Sequence, residues 1–335
     1  MDQTPELVPS PEQAQPVQPA SGSPLRKIFF NDAELRAGWR FFIFFVLLIV
    51  VSLAANFVVR HVRKSPPARN QPVVLRPRAI IAGDALQFAL VLGIAAIMAK
   101  IEKRQLRHYG LPLKQALRGN FWAGCLWGFG AISVLLLALR ADHNFYYGAP
   151  ELSGWSIVRF ASLWAIAFLF VGLFEEFTLR GYAQFTLTTG MGFWPAASLF
   201  SLLFAALHWS NPGETSFGLF QIVLIGLFFC FTLWRTGTLW FAVGFHAAWD
   251  WAQSFFYGTP DSGTLAQGHL LHSSFAGSKW LTGGTAGPEG SVLVAPLILL
   301  LFVLFYFAFP KRAPYPDPEA IKAVQMQSPR TMLGL

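Results

Sequence analysis

A membrane interior penalises ionisable side chains, yet seven stand inside apolar stretches of this chain: Asp84, Glu175, Glu176, Arg180, His208, His246 and Asp250. Each costs at least ~2.5 kcal/mol near the bilayer centre unless it is paired or faces a cavity. All but Asp84 fall on three apolar segments between 159 and 256, so one shared interior site is more economical than several separate burials. In Phe174-Glu175-Glu176-Phe177-Thr178-Leu179-Arg180, Glu176 and Arg180 stand at i and i+4 of a helix and can pair. Glu175 points about 100° away and has no such partner. A carboxylate left alone among apolar groups is suited to accept a proton from water, the profile of a general base. The simpler reading is an ion pair at a helix end, with Glu175 reaching for solvent. His208 closes the run Phe204-Ala205-Ala206-Leu207-His208, ahead of a Ser210-Asn211-Pro212-Gly213 turn, and by itself reads as a solvated tip. His246 and Asp250 share one helical face, one turn apart, and by themselves read as a polar pair between helices. Taken jointly, a carboxylate base, two imidazoles and a further carboxyl group are the inventory for activating water against a carbonyl.

The elements that must position these groups are membrane helices. Of 335 residues 54% are hydrophobic and only 13% charged, and the mean hydropathy is +0.47; soluble domains carry about 25% charged residues. A spanning helix needs about 20 apolar residues. Eight runs answer to that test, at 39–59, 79–99, 120–139, 159–186, 193–209, 216–234, 237–256 and 289–309. The expected fold class is therefore all-α, a polytopic integral membrane helix bundle of about eight transmembrane helices. Residues 1–25 are rich in Pro, Gln and Ser and read as a disordered tail, and the first apolar run reads as a retained anchor rather than a cleaved signal. Cys125 and Cys230 lie within apolar runs, as small buried hydrophobes do, which excludes a disulfide scaffold. Gly124 and Gly128 are spaced to let another helix approach closely.

The net charge of +8 comes without a zinc-finger or RNP-type motif, so nucleic acid is excluded as a partner and the basic residues read as membrane-flanking charge. Two basic stretches, Arg60 to Arg78 and Lys100 to Arg118, fall on opposite sides of an alternating topology. Arg26, Lys27, Arg36 and Arg40, with Arg235, Lys311 and Arg312, tip the balance toward both termini in the cytoplasm. The Gly-, Ser- and Thr-rich loop 257–288 reads as flexible. Its His269 and His272 lack a third ligand in the sequence and read as solvent-exposed rather than as a metal site.

The ordered set Glu-Glu-x-x-x-Arg (Glu175, Glu176, Arg180), Phe-x-x-x-His (Phe204, His208) and His-x-x-x-Asp (His246, Asp250) resembles the CPBP family. These are the CAAX proteases and bacteriocin-processing enzymes, also called Abi proteins. The likeness covers about residues 158–256, under a third of the chain. It implies an intramembrane endopeptidase that hydrolyses a peptide bond of a membrane-associated or lipidated protein or peptide. Glu175 and His208 would activate the attacking water, and His246 with the residue at 250 would stabilise the oxyanion. Glu176, Arg180 and Phe204 would support the site. Many members carry Asn where this chain has Asp250. An Asn amide can donate to an oxyanion and an ionised Asp cannot, so Asp250 is expected to be protonated, to orient His246 or to bind a cation.

Members are often labelled metalloproteases. Here His-Glu-x-x-His is absent, while Glu175, His208, His246 and Asp250 could supply the three ligands of a catalytic Zn²⁺. The resemblance to CAAX prenyl endopeptidases favours no cofactor. The organisation expected is a tail (1–25), three spans with basic loops (26–157), a catalytic core (158–256), a flexible loop (257–288), a last span (289–310) and a C-terminal tail (311–335). The expected location is the plasma membrane of a bacterium, with membrane lipid and the substrate protein or peptide as partners. The competing classes are a non-proteolytic immunity or scaffold protein, in which the polar cluster only holds helices together, and a transporter using Asp84, Glu175 and Asp250 as an ion path. No internal repeat supports transport.

Overall fold

The computed structural model describes residues 24–31, 34–62 and 74–312. The readings of a disordered tail before Pro24, of the basic residues Arg63, Lys64 and Arg69, and of the C-terminal tail from 313 onward lie outside those residues. A short first unit ends at Arg36 and holds a one-and-a-half-turn helix, Pro24–Phe29, followed by a two-residue antiparallel ladder, Phe30–Asn31 with Glu34–Leu35.

From Ala37 onward the chain is a helix bundle: α1 Ala37–Val62, α2 Pro77–Ile101, α3 Gly119–Ala141, α4 Trp155–Arg180, α5 Tyr182–Met191, α6 Phe193–His208, α7 Ser216–Thr236, α8 Trp240–Asp250 and α9 Val294–Ala308. It is an all-α polytopic membrane architecture. By length and apolarity α1, α2, α3, α7 and the α4–α5 run can each cross a membrane, while α6 and α9 are shorter apolar helices. Local chemistry sets several ends. Pro77 opens α2, where its missing N–H costs nothing. The Thr215 side chain caps α7 by accepting from the Gly218 N–H, and Gly237 closes it in a left-handed conformation.

Three spans differ from those read in the sequence. The run 159–186 is interrupted at Gly181, whose backbone leaves the helical region. A Cβ there would stand 2.3 Å from the Phe177 carbonyl oxygen, so only glycine fits the turn. The run 237–256 is α8 followed by a π-helical turn, Trp251–Phe256. The last span begins at Val294 rather than 289, because Glu289 belongs to a separate 3₁₀ turn, Pro288–Gly290.

The tightest helix pair is α3 against α8. A Cβ on Gly124 would come within 2.1 Å of the Phe241 oxygen, and one on Gly128 within 2.1 Å of the Phe245 oxygen. The pair of glycines read as a packing device thus brings backbone against backbone, directly beside the helix that carries His246. Cys230 is buried and Cys125 half-buried, both as free thiols.

The two ends of the bundle differ in chemistry. At one end Glu102 accepts hydrogen bonds from Arg40, Arg104, Tyr109 and Tyr182, joining α1, the segment after α2, and α5. At the other, the connections form short ladders. Val74–Leu75 pairs in parallel with Leu265–Ala266, and Phe145–Tyr146 pairs antiparallel with Ser274–Phe275. The segment 257–293 is thereby tied to the entry of α2 and to the α3–α4 connection.

Candidate active site

Four helices bring the site together. Glu176 on α4 is fully buried, and its Oε1 accepts from Arg180 Nη1 at 2.9 Å, the i, i+4 pair expected from the sequence. The Arg180 guanidinium is packed over the rings of Phe204 on α6 and Phe229 on α7, at 4.9 and 5.4 Å from their centroids. Its charge is met in one direction by a carboxylate and in others by aromatic faces.

His246 on α8 lies among three carboxylates. Its Nδ1 is 3.1 Å from Glu176 Oε1, and its Nε2 is 3.7 Å from Glu175 Oε2 and 3.5 Å from Asp250 Oδ2. The ring stacks on Phe229 at 5.8 Å and 17°. Both ring nitrogens therefore face carboxylate oxygens, and an N–H on either one finds an acceptor. Glu175 Oε2 is buried and has no hydrogen-bond partner among the described residues. On α6 the His208 Nδ1–H donates to the Phe204 carbonyl at 2.8 Å, which leaves Nε2 free, and its ring meets the Phe204 ring edge to face.

These groups surround a cavity of about 260 Å³ lined by Glu175, Phe204, His208, His246 and Asp250 together with apolar side chains that include Phe168, Ile222 and Phe229. His208 stands at the end of its helix while Glu175 stands well inside α4. The 16-residue length of α6 reconciles the two, since a short helix ends at the depth where a 26-residue one is still running. Asp84 is not part of the cavity wall and accepts from Gln87 Nε2, one turn along α2.

Three acidic residues that the motifs did not mark also line the cavity: Glu214, Asp261 and Glu289. Asp261 accepts from Ser254 Oγ at 2.7 Å, and Glu289 accepts from the Ser262 N–H at 2.9 Å and from Gln253 Nε2 at 3.1 Å. Burial, together with the neighbouring Asp261, pushes the Glu289 carboxyl up to about 8. Burial raises Asp261 as well. The sequence held one signal for Glu289, a carboxylate between Pro288 and an apolar run that starts cleanly at Val292. Asp261 and Glu214 carried none.

A zinc ion needs three donors converging on one point. Among the described residues, donor atoms of three such side chains lie within 4.8 Å of one another at Glu151, His269 and His272. The set Glu175, His208, His246 and Asp250 is not so arranged.

Residues 157–252 match the Rce1-like family. The description of that family is type II CAAX prenyl endopeptidase Rce1-like. The Rce1-like segment starts in the first turn of α4 and ends two residues beyond Asp250, so Glu175, Glu176, Arg180, Phe204, His208, His246 and Asp250 all fall inside it. It occupies under a third of the chain. No curated protein and no solved structure matches the chain. The chain thus carries a segment similar to the Rce1-like family within an integral membrane helix bundle.

Proposed function

We propose that the protein is an intramembrane endopeptidase in which Glu175 and His208 activate a water molecule for attack on a peptide carbonyl. The observation that carries this reading is the buried Oε2 of Glu175, which accepts no hydrogen bond among the described residues and shares one cavity with two imidazoles. The ion-pair contact of this oxygen with His246 Nε2, at 3.7 Å, is too long for a hydrogen bond. Glu176 is engaged by Arg180 and His246, and Asp250 faces His246. Glu175 is the carboxylate left to take a proton from water.

His246 serves the other half of the reaction. Held at Nδ1 by Glu176, it presents Nε2–H to the oxyanion that forms when water adds to the carbonyl. Asp250 then need not donate to the oxyanion itself. It orients the imidazole from one turn away, which accounts for Asp at a position where an amide is common. Collapse of the tetrahedral adduct breaks the C–N bond, and the proton held by Glu175 or His208 passes to the leaving amine.

The reading uses no metal at this cluster, the mechanism that the resemblance to CAAX prenyl endopeptidases favours. The substrate class that fits is a peptide segment delivered from the membrane, with a lipidated C-terminal peptide favoured by the family description. The location proposed is a bacterial plasma membrane, with lipid as the surrounding partner. Liposomes containing full-length protein and a farnesylated CAAX peptide test the reading. Release of the C-terminal tripeptide by wild type and not by Glu175→Gln is expected. Equal release by both would remove Glu175 from the chemistry, and no release by either would remove prenylated peptides as the substrate class.

A further inference from the structure

The loop histidines that lacked a third ligand in the sequence acquire one in the fold. Glu151, in the α3–α4 connection, has Oε2 at 3.0 Å from His269 Nε2 and Oε1 at 2.7 Å from His272 Nδ1. Main-chain pairing holds the three together. The Glu151 N–H donates to the Leu270 carbonyl, the His272 N–H donates to the Ala149 carbonyl, and Pro150 bridges Leu271. The segments 149–151 and 270–272 therefore run as a small antiparallel ladder that sets their side chains beside one another.

Two further observations suit metal ligation. His269 donates Nδ1–H to the Ala266 carbonyl at 2.8 Å, which fixes the ring with Nε2 toward Glu151, where an ion displacing the Nε2 proton would meet the lone pair; this backbone bond is the kind that orients most ligating histidines. The His269 side chain is nearly buried, at 14% exposure, whereas His272 is 74% exposed and free to turn onto an ion. Donors in a tetrahedral zinc site stand about 3.3 Å apart, from bond lengths near 2.0–2.1 Å. The donor atoms of the three side chains already lie within 4.8 Å of one another, and the exposed imidazole of His272 can rotate.

We infer that Glu151, His269 and His272 form a binding site for a divalent transition metal of the zinc class, with solvent completing the coordination. Two imidazoles and a carboxylate suit Zn²⁺ over Ca²⁺ or Mg²⁺, which take oxygen ligands. The site lies outside the Rce1-like segment in its carboxylate and both histidines. A bound ion would fasten the 257–293 segment to the α3–α4 connection. That same segment carries Asp261, Ser262, Thr264 and Glu289 over the cavity, so the metal braces the cavity's cap.

The test uses full-length protein in detergent, stripped with a tight chelator, desalted and then given Zn²⁺ alone. One equivalent of Zn²⁺ retained per chain, with a raised unfolding temperature, is expected for wild type. His269→Ala and His272→Ala should each bind at least about 10-fold more weakly. His272 is exposed, so its replacement leaves folding intact. Glu175→Gln and His246→Ala should retain the ion, which separates this site from the membrane cluster and makes the outcome independent of whether the protein is a protease. Absence of retained Zn²⁺ in wild type, or retention unchanged in both loop-histidine variants, would overturn the inference. So would loss of the ion in the Glu175 or His246 variants.

Discussion

At the scale of single residues, the proposed mechanism rests on Glu175, whose buried oxygen accepts no hydrogen bond among the described residues. Glu175→Gln keeps the shape and removes the proton acceptor, so the rate of peptide hydrolysis should fall by roughly 10²–10⁴ with unfolding temperature unchanged. A steady-state assay beside a thermal melt checks both halves. Asp250 is argued to position His246 rather than to donate. Asp250→Asn retains a carbonyl acceptor for the ring and should keep activity within about tenfold, whereas Asp250→Ala should lose roughly a further factor of 10. Equal losses in the two variants would show that the carboxylate does something an acceptor alone cannot. These roles rest on residues that were legible before the fold was known, because a charged side chain in an apolar run is conspicuous by its cost. The i, i+4 spacing of Glu176 and Arg180 also announced the ion pair that the fold forms. What spacing could not say is that Glu176 also reaches His246 across 70 positions of sequence.

At the scale of elements, the site depends on α8 being held at backbone distance from α3. Gly124→Val places a branched side chain where the Phe241 and Phe245 backbones already stand. It should destabilise the bundle by ~1–3 kcal/mol and reduce activity together with it, since α8 carries both His246 and Asp250. Thermal unfolding of the purified variant is the check, and an unchanged midpoint would mean that the two helices are not in contact. The cap makes a separate prediction through Glu289, whose carboxyl moves from an ordinary 4.5 to about 8 in the folded chain. Between those values the folded chain holds a proton that the unfolded chain has released, so this group's contribution to stability declines as pH rises through the window. Glu289→Gln should flatten that decline in the unfolding midpoint, and an identical slope in the variant would remove Glu289 as its source. Elements were legible wherever apolarity and length agreed, as for α1, α2, α3 and α7. They were misread where a helix stops for a steric or polar reason inside an apolar run, as at Gly181 and at Glu289. Periodicity does not register a glycine turn of that kind, and the cap's ladders join segments too distant in sequence for any local pattern to announce.

At the scale of the whole molecule, both ends of the bundle carry Lys and Arg, in unequal excess. The end holding residues 102–118, Arg235, Lys311 and Arg312 is strongly basic, while at the cap end Arg76, Arg78, Arg140, Arg159 and Lys279 are offset by Asp142, Glu151, Glu214, Asp261 and Glu289. By the excess of Lys and Arg on cytoplasmic loops, the first end should face the cytoplasm and the cap should face away from it. In a Cys125→Ala background, Ser153→Cys should react with an impermeant maleimide in intact cells and Gln115→Cys only after permeabilisation. The reverse pattern would invert the topology. The central claim is that this bundle hydrolyses peptide bonds through Glu175. It is tested most directly by comparing peptide termini in membranes from cells that contain the natural partners and make wild type or Glu175→Gln at matched abundance. The account predicts new termini with wild type that vanish in the variant. Identical termini in both would contradict it and leave the polar cluster as the interior glue of a scaffold or immunity protein.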